Sequence, residues 1–296
     1  MNQAFINQSK LQVEAEGGTD KLLPTLVKFL TIAEADLAIA SDLCSLFTVY
    51  SFALGDSLSN LTLSNAPEVS VRSEHNPDDV YLVCEGRVRL LAFDRSLGRE
   101  VSAAVVEVGE TFGAESFFGE NEISYRAIAA SAGYVARIST EALKPWLQQI
   151  PALASHLQQL VQQQQRIIFL KTASELRRLP SYRLREIAPH LVELRIPAGS
   201  PLAEATPAEL GRYWLRRGEL NNETENTLGL AWGYPNSTAA DALAQTDLWL
   251  YHLPTEHCQA IPEITPASQD TSDRNPKKAS RQKKPQQTVI PLNPKA

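Results

Sequence analysis

The feature that most constrains this chain is an ordered internal repeat. Tyr81-Leu82-Val83-Cys84-Glu85-Gly86-Arg87-Val88 has a partner in Tyr213-Trp214-Leu215-Arg216-Arg217-Gly218-Glu219-Leu220. Each is an apolar run, two intervening positions, a glycine, one position and another aliphatic residue. That order spells a strand, a tight glycine turn and a second strand. Three more landmarks recur in the same order. Phe52-Ala53-Leu54-Gly55 returns as Ile196-Pro197-Ala198-Gly199, and Phe112-Gly113 as Trp232-Gly233. Tyr134-Val135-Ala136-Arg137-Ile138 returns as Trp249-Leu250-Tyr251-His252-Leu253. One such match is weak, but four in sequence imply two related β-rolls.

The texture between the landmarks agrees. Residues 47–53, 69–72, 80–84, 87–94, 100–106, 127–132 and 134–138 are short β-branched or alternating runs, separated by glycine-bearing breaks. Many short strands at this spacing predict a sandwich or barrel rather than a parallel sheet with crossover helices. Helical periodicity flanks them. Residues 20–45 carry leucines three and four apart, with Asp20 as N-cap and Pro24 read into the first turn. From 139 to 179 an apolar stripe returns, and Pro151 begins a new helix. Trp146, Ile150, Leu153, Leu157 and Leu160 alternate in steps of four and three. That seam fits a helix packed on its own barrel or a homodimer contact through the connector helices. Residues 181–191 read as one more short helix.

At 296 residues the chain is long enough for about two domains. The organisation expected is a flexible N-terminus (1–19), a first β-domain (20–165), a second (166–258) and a basic, proline-rich, disordered tail (259–296). From Glu263 onward seven Lys/Arg stand against three Asp/Glu, a net of +4, so the rest of a chain of net −6 carries −10. An acidic body disfavours nucleic acid as the main partner. The mean hydropathy is slightly negative, and no stretch is apolar enough for a membrane span. MNQAFINQSK does not read as a secretory signal, so the expectation is a cytoplasmic protein. Cys44, Cys84 and Cys258 are too few and too scattered for a disulfide scaffold or a cysteine zinc site.

Nothing in the sequence points to catalysis. The five histidines have no HxH or HExxH spacing, and there is no GxSxG elbow or P-loop lysine. The expectation is a non-enzyme without a metal or cofactor. The informative stretch is Gly109-Glu110-Thr111-Phe112-Gly113-Ala114-Glu115-Ser116-Phe117-Phe118, followed by Tyr125-Arg126-Ala127-Ile128-Ala129. A tight glycine turn leads into one helical turn with free backbone N–H groups, and Arg126 then opens a strand with a planar guanidinium. Anion recognition is one reading of this pattern. A barrel corner with a surface arginine is the other.

Residues 81–91, 109–113 and 126–129 resemble the cyclic nucleotide-binding domain of catabolite-activator-type regulators and kinase regulatory subunits. The resemblance implies a mostly β fold with flanking helices (α+β): two tandem cyclic-nucleotide-binding-like β-jelly rolls joined by helices. It also implies a phosphate-binding cassette, with Phe112, Gly113, Ala114, Glu115, Ser116, Arg126 and Ala127 as ligand-binding residues. Arg126 would pair with the cyclic phosphate of cAMP or cGMP. The family glutamate that reads the ribose hydroxyl is replaced by Ala114, and Glu115 comes one position late. One residue turns a helical side chain by roughly 100°. Tyr125 stands where the family often has proline. In the second roll the register places Asp241 opposite Arg126, which makes that roll a degenerate copy. The paired rolls are also similar to the N-terminal regulatory region of some bacterial peptidase-containing ABC exporters. That likeness adds a membrane exporter or other protein partner to the expectations, and a ligand-free interaction module as the alternative to a ligand-sensing one.

Overall fold

A computed structural model describes residues 19–32, 37–58, 79–119, 123–221, 228–235, 242–261 and 264. The expected strand 69–72, residues 1–18, Asp241 and almost all of the tail lie outside the described residues. Helices α1 (Thr19–Ile32) and α2 (Leu37–Cys44) precede β1 (Thr48–Phe52). Then come β2 (Asp79–Glu85), β3 (Val88–Asp94), β4 (Arg99–Val106), β5 (Thr111–Phe112), α3 (Glu115–Phe118), β6 (Tyr125–Ala129) and β7 (Gly133–Ser139). Helices α4 (Thr140–Gln149) and α5 (Pro151–Thr172) lead through a 3-10 turn (Glu175–Arg178) to α6 (Ser181–Ile187). The last part holds β8 (Val192–Ile196), α7 (Leu202–Ala205), β9 (Gly211–Arg217), β10 (Ala231–Gly233), β11 (Leu248–Pro254) and α8 (Thr255–Cys258). The chain is mostly β with flanking helices, and none of the described helices is long and apolar enough to cross a membrane.

The first β-unit has two antiparallel sheets, β1-β7-β2-β5 and β4-β3-β6. β3 shows why they close over a core. Val88, Leu90, Ala92 and Asp94 are buried, whereas Arg89 and Phe93 are exposed, the period of a strand with one face inward. β2 is different, because Asp79 to Cys84 is buried throughout. Tyr81 and Val83 face the roll interior, and Val80, Leu82 and Cys84 face Leu22, Leu26 and Leu30 of α1. A strand covered on both faces needs a continuous apolar run, and Val80–Cys84 supplies one.

Helix α4 is capped by Ser139, whose side chain accepts the N–H of Ala142, a contact of the kind worth about 1 kcal/mol. Pro151 opens α5 at its first position, as expected. Ile150, Leu153 and Leu157 are buried in the same chain, with Trp146 and Leu160 packed beside them. Farther along α5, Ile167 to Leu170 join the interior of the first roll to Trp214 and Tyr251 of the second sheet. Asp20 lies inside α1 rather than at its N-cap, and Pro24 lies two residues deeper than expected, because α1 begins at Thr19. The strand expected over 127–132 starts earlier, at Tyr125, where it pairs with Ala92. β5 escaped the sequence reading because two residues carry no period.

The second sheet has the order β8-β11-β9-β10, which is the order β1-β7-β2-β5 of the first. The registers coincide as well. Tyr81 pairs with Phe112 and Tyr213 with Trp232; Tyr81 pairs with Arg137 and Tyr213 with His252. Phe52 faces Gly133, and Ile196 faces Leu248. Both ladders slip at the same place, between Val83 and Glu85 in one and beside Trp249, opposite Arg217, in the other. The isolated bridges Ser57–Ile128 and Pro201–Leu243 also correspond. The second sheet differs in what stands behind it. Among the described residues, no second sheet accompanies it, and the Leu220–Ala244 bridge stands where Val88 pairs with Ala129 in the β3–β6 ladder.

Candidate functional site

The site is built where β5, α3 and β6 meet. Phe112 on β5 is buried and stacks on Tyr81, with ring centroids 4.8 Å apart and planes 8° from parallel. The chain then turns at Gly113 with φ +86°, and a Cβ there would lie 2.5 Å from the carbonyl oxygen of Asp79 on β2. Only glycine fits both demands, so Gly113 is dictated by backbone geometry. Ala114 is buried in the helix-packed core and caps nothing with its side chain. α3 follows, with Glu115 buried and Ser116 exposed.

Glu115 does not face solvent. The Gly113 N–H donates to the Tyr125 hydroxyl at 3.0 Å, and that hydroxyl donates to Glu115 Oε1 at 2.5 Å. Burial pushes the Glu115 carboxyl above the usual carboxylate range, opposed by the bond from Tyr125 and by backbone N–H groups. Tyr125 is raised well above an ordinary tyrosine, first by burial and then by the charge of Glu115. The three groups form one internal chain of hydrogen bonds that fixes the Gly113 turn.

Arg126 belongs to the other face of β6. Successive strand side chains alternate, and Tyr125, Ala127 and Ala129 are buried while Arg126 and Ile128 are half-buried. The Arg126 guanidinium reaches across β3 to Glu100 on β4, with Nη2 to Oε2 at 2.6 Å and Nε to Oε1 at 3.4 Å. This forked pair holds the Glu100 carboxyl below its ordinary value. Both side chains are about a third or more exposed, at 32% and 40%, so the pair is of the kind worth at most about 1 kcal/mol.

The structure thus brings Phe112, Gly113 and Glu115 into one connected cluster, with Ala114 beside it. Arg126 and Ala127 sit on the adjoining strand, and Arg126 meets Glu100 rather than the Gly113 turn. Two members were missed from sequence. Glu100 gives no motif signal, because its contact with Arg126 depends on the registers of β3 with β4 and β6. Tyr125 stood in the right stretch, but its role as the hub between Gly113 and Glu115 needs the fold.

Residues 66–149 match the sequence family described as the cyclic nucleotide-binding domain. Among solved structures, the chain is similar to the regulatory domain of Toxoplasma gondii PKA with cAMP, at 15% identity over 83% of this chain and 93% of that one, with a TM-score of 0.37. It is similar to the Thermus thermophilus catabolite activator protein at 24% identity over 46% of this chain and 56% of that one, TM-score 0.34. It is also similar to the N-terminal domain of a transcriptional regulator from Streptomyces coelicolor, at 25% identity over 48% and 89%, TM-score 0.32. No curated protein matches it. The matched residues run from ahead of β2 through α4 and include the Gly113 turn and Arg126.

Proposed function

We propose that the first β-unit is a non-enzymatic regulatory module that senses cAMP, cGMP or a related phosphate, with Arg126 as the anion anchor. The reading is carried by one observation: the cyclic nucleotide-binding domain match spans Phe112, Gly113 and Arg126 together. The energetics are compatible with it. An arginine–phosphate contact is typically worth about 1.5–3 kcal/mol, against at most about 1 kcal/mol for the exposed pair with Glu100. A phosphate can therefore take Arg126 from Glu100. Thermal unfolding with each cyclic nucleotide tests this. Ligand at about 100 times its dissociation constant adds roughly 2.7 kcal/mol of stability. The gain is expected in full in the wild type and should fall to about 0.4–1.4 kcal/mol at the same ligand concentration in Arg126→Ala.

A second reading has its own support. The Gly113 N–H is already bonded to Tyr125, and Arg126 is already paired with Glu100. Both groups that would receive an anion are engaged from within the chain, which favours a ligand-free interaction module within an exporter or signalling assembly. No stabilisation by any cyclic nucleotide is its signature. In either reading the second β-unit is a degenerate tandem copy, with Asp241 aligned to Arg126 by sequence spacing and domain bounds near 166–258.

A further inference from the structure

The helix-packed face of the two sheets offers a direct comparison. On the first sheet, Tyr134 and Glu85 mark the edge of that face. Lys21 of α1 lies over the Tyr134 ring, 4.8 Å from its centroid, and pairs with Glu85. A helix-borne cation thus seats α1 on an aromatic ring beside a carboxylate. By register, Trp249 stands at the place of Tyr134, Arg217 at that of Glu85 and Arg195 at that of Ser51. The aromatic platform is retained, and the charge beside it is reversed.

The platform is preorganised. Arg195 and Arg217 lie over Trp249, with guanidinium carbons 5.4 and 5.1 Å from its ring centroid. Arg195 is braced by Asp247 at 2.5 Å, and its side chain stays 66% exposed. Arg217 is exposed and Trp249 half-buried. Deeper on this face the sheet is covered by α5, where Phe169 packs edge-on against Tyr251 and Arg166 and Arg216 share Glu193. Among the described residues, no element covers the Trp249 end as α1 covers the first sheet.

We propose that Arg195, Trp249 and Arg217 form a docking surface for an acidic helical segment of a partner protein, seated as α1 is on the first sheet. The charge reversal sets the chemistry. Where Glu85 takes a lysine from its helix, Arg217 and Arg195 take carboxylates, and the indole supplies the apolar contact between them. Two guanidiniums held against one ring suit paired carboxylates better than a single point charge.

The test uses the full chain with tryptophan indole groups isotope-labelled, so that Trp249 is followed by its own resonance. The probe is a synthetic amphipathic helical peptide with glutamates flanking a leucine stripe. The expected result is a saturable shift of the Trp249 resonance that weakens with added salt. Arg217→Glu should lower the affinity about tenfold or more, with the fold intact by circular dichroism. Arg195→Gln should lower it less. Unchanged binding in Arg217→Glu, no shift at Trp249, or equal binding of the same peptide with lysines for glutamates overturns the proposal. Tighter binding of a single-stranded oligonucleotide at these residues overturns it in favour of nucleic acid. A Trp249 shift that depends only on protein concentration overturns it in favour of a second copy of the chain.

Discussion

In the first sheet Tyr81 pairs with Phe112 on one side and Arg137 on the other; in the second, Tyr213 pairs with Trp232 and His252. The rings stack in both, at 4.8 Å for Tyr81–Phe112 and 6.2 Å for Tyr213–Trp232. The glycine after each β-edge has nearly the same φ, +86° at Gly113 and +92° at Gly233, and a Cβ on each would strike the equivalent carbonyl, of Asp79 or Gly211. The backbone frame is thus held by a few stacked rings and two obligatory glycines. The difference lies in the segments between them. Val88 to Gly109 spans 109 − 88 = 21 steps, and Leu220 to Gly229 only 229 − 220 = 9. The β3–β4 hairpin occupies the longer interval, and Glu100 with it. The shared frame recurs where the β3–β4 hairpin does not, so the proposed cassette, with Glu100 beside Arg126, belongs to the first unit.

The comparison breaks first if the two frames are not energetically alike. Phe112→Ala and Trp232→Ala should each cost about 3–5 kcal/mol in denaturant unfolding. Trp232 should lie at the upper end, since its indole N–H also donates to Thr206 at 2.8 Å. A small effect at one site only would mean that the shared register does not reflect shared packing. Gly113→Val and Gly233→Val should each cost about 3 kcal/mol through left-handed strain and collision with a carbonyl. A tolerant Gly233 would separate the two turns.

Smaller effects sharpen the contrast in chemistry. Arg126→Ala should weaken binding of a cyclic nucleotide by about one to two orders of magnitude while changing stability little. Glu100→Gln releases Arg126 from its partner and should raise that affinity a few-fold, measurable in the same titration. Glu115 supplies a pH signature. Its folded value is raised, so its contribution to stability is complete below the unfolded carboxylate range and is lost as pH rises through the folded value. Glu115→Gln keeps an acceptor for Tyr125 and removes the ionisation. The wild type should therefore lose stability relative to this variant as pH rises. A difference that is flat with pH would mean that Glu115 ionises as freely folded as unfolded.

Much of the architecture was legible before the fold was known. Three of the four repeat landmarks carry a glycine turn in both copies, and those are the positions where sequence chemistry and backbone geometry are most tightly linked. The Phe52–Ile196, Tyr81–Tyr213, Phe112–Trp232 and Arg137–His252 equivalences recur in the strand registers for that reason. Of the proposed site, the Gly113 turn is the part whose geometry follows from the sequence, since its positive φ and the nearby Asp79 carbonyl demand glycine. That Glu115 turns inward follows from Tyr125, whose ring enters the core from a different strand. That Arg126 meets Glu100 follows from two strand pairings that no local pattern encodes. Charge on the second sheet was similarly hidden, because Arg195 and Arg217 become neighbours only through Trp249 on the strand between them.

Of the two frames, only the first is expected to carry a ligand cassette. Isothermal titration calorimetry of the full chain with cAMP and with cGMP tests it most directly. One site per chain is expected for the ligand that binds, with affinity weakened by about one to two orders of magnitude in Arg126→Ala. Two equivalent sites per chain, or a single site with unchanged affinity in Arg126→Ala, would contradict it.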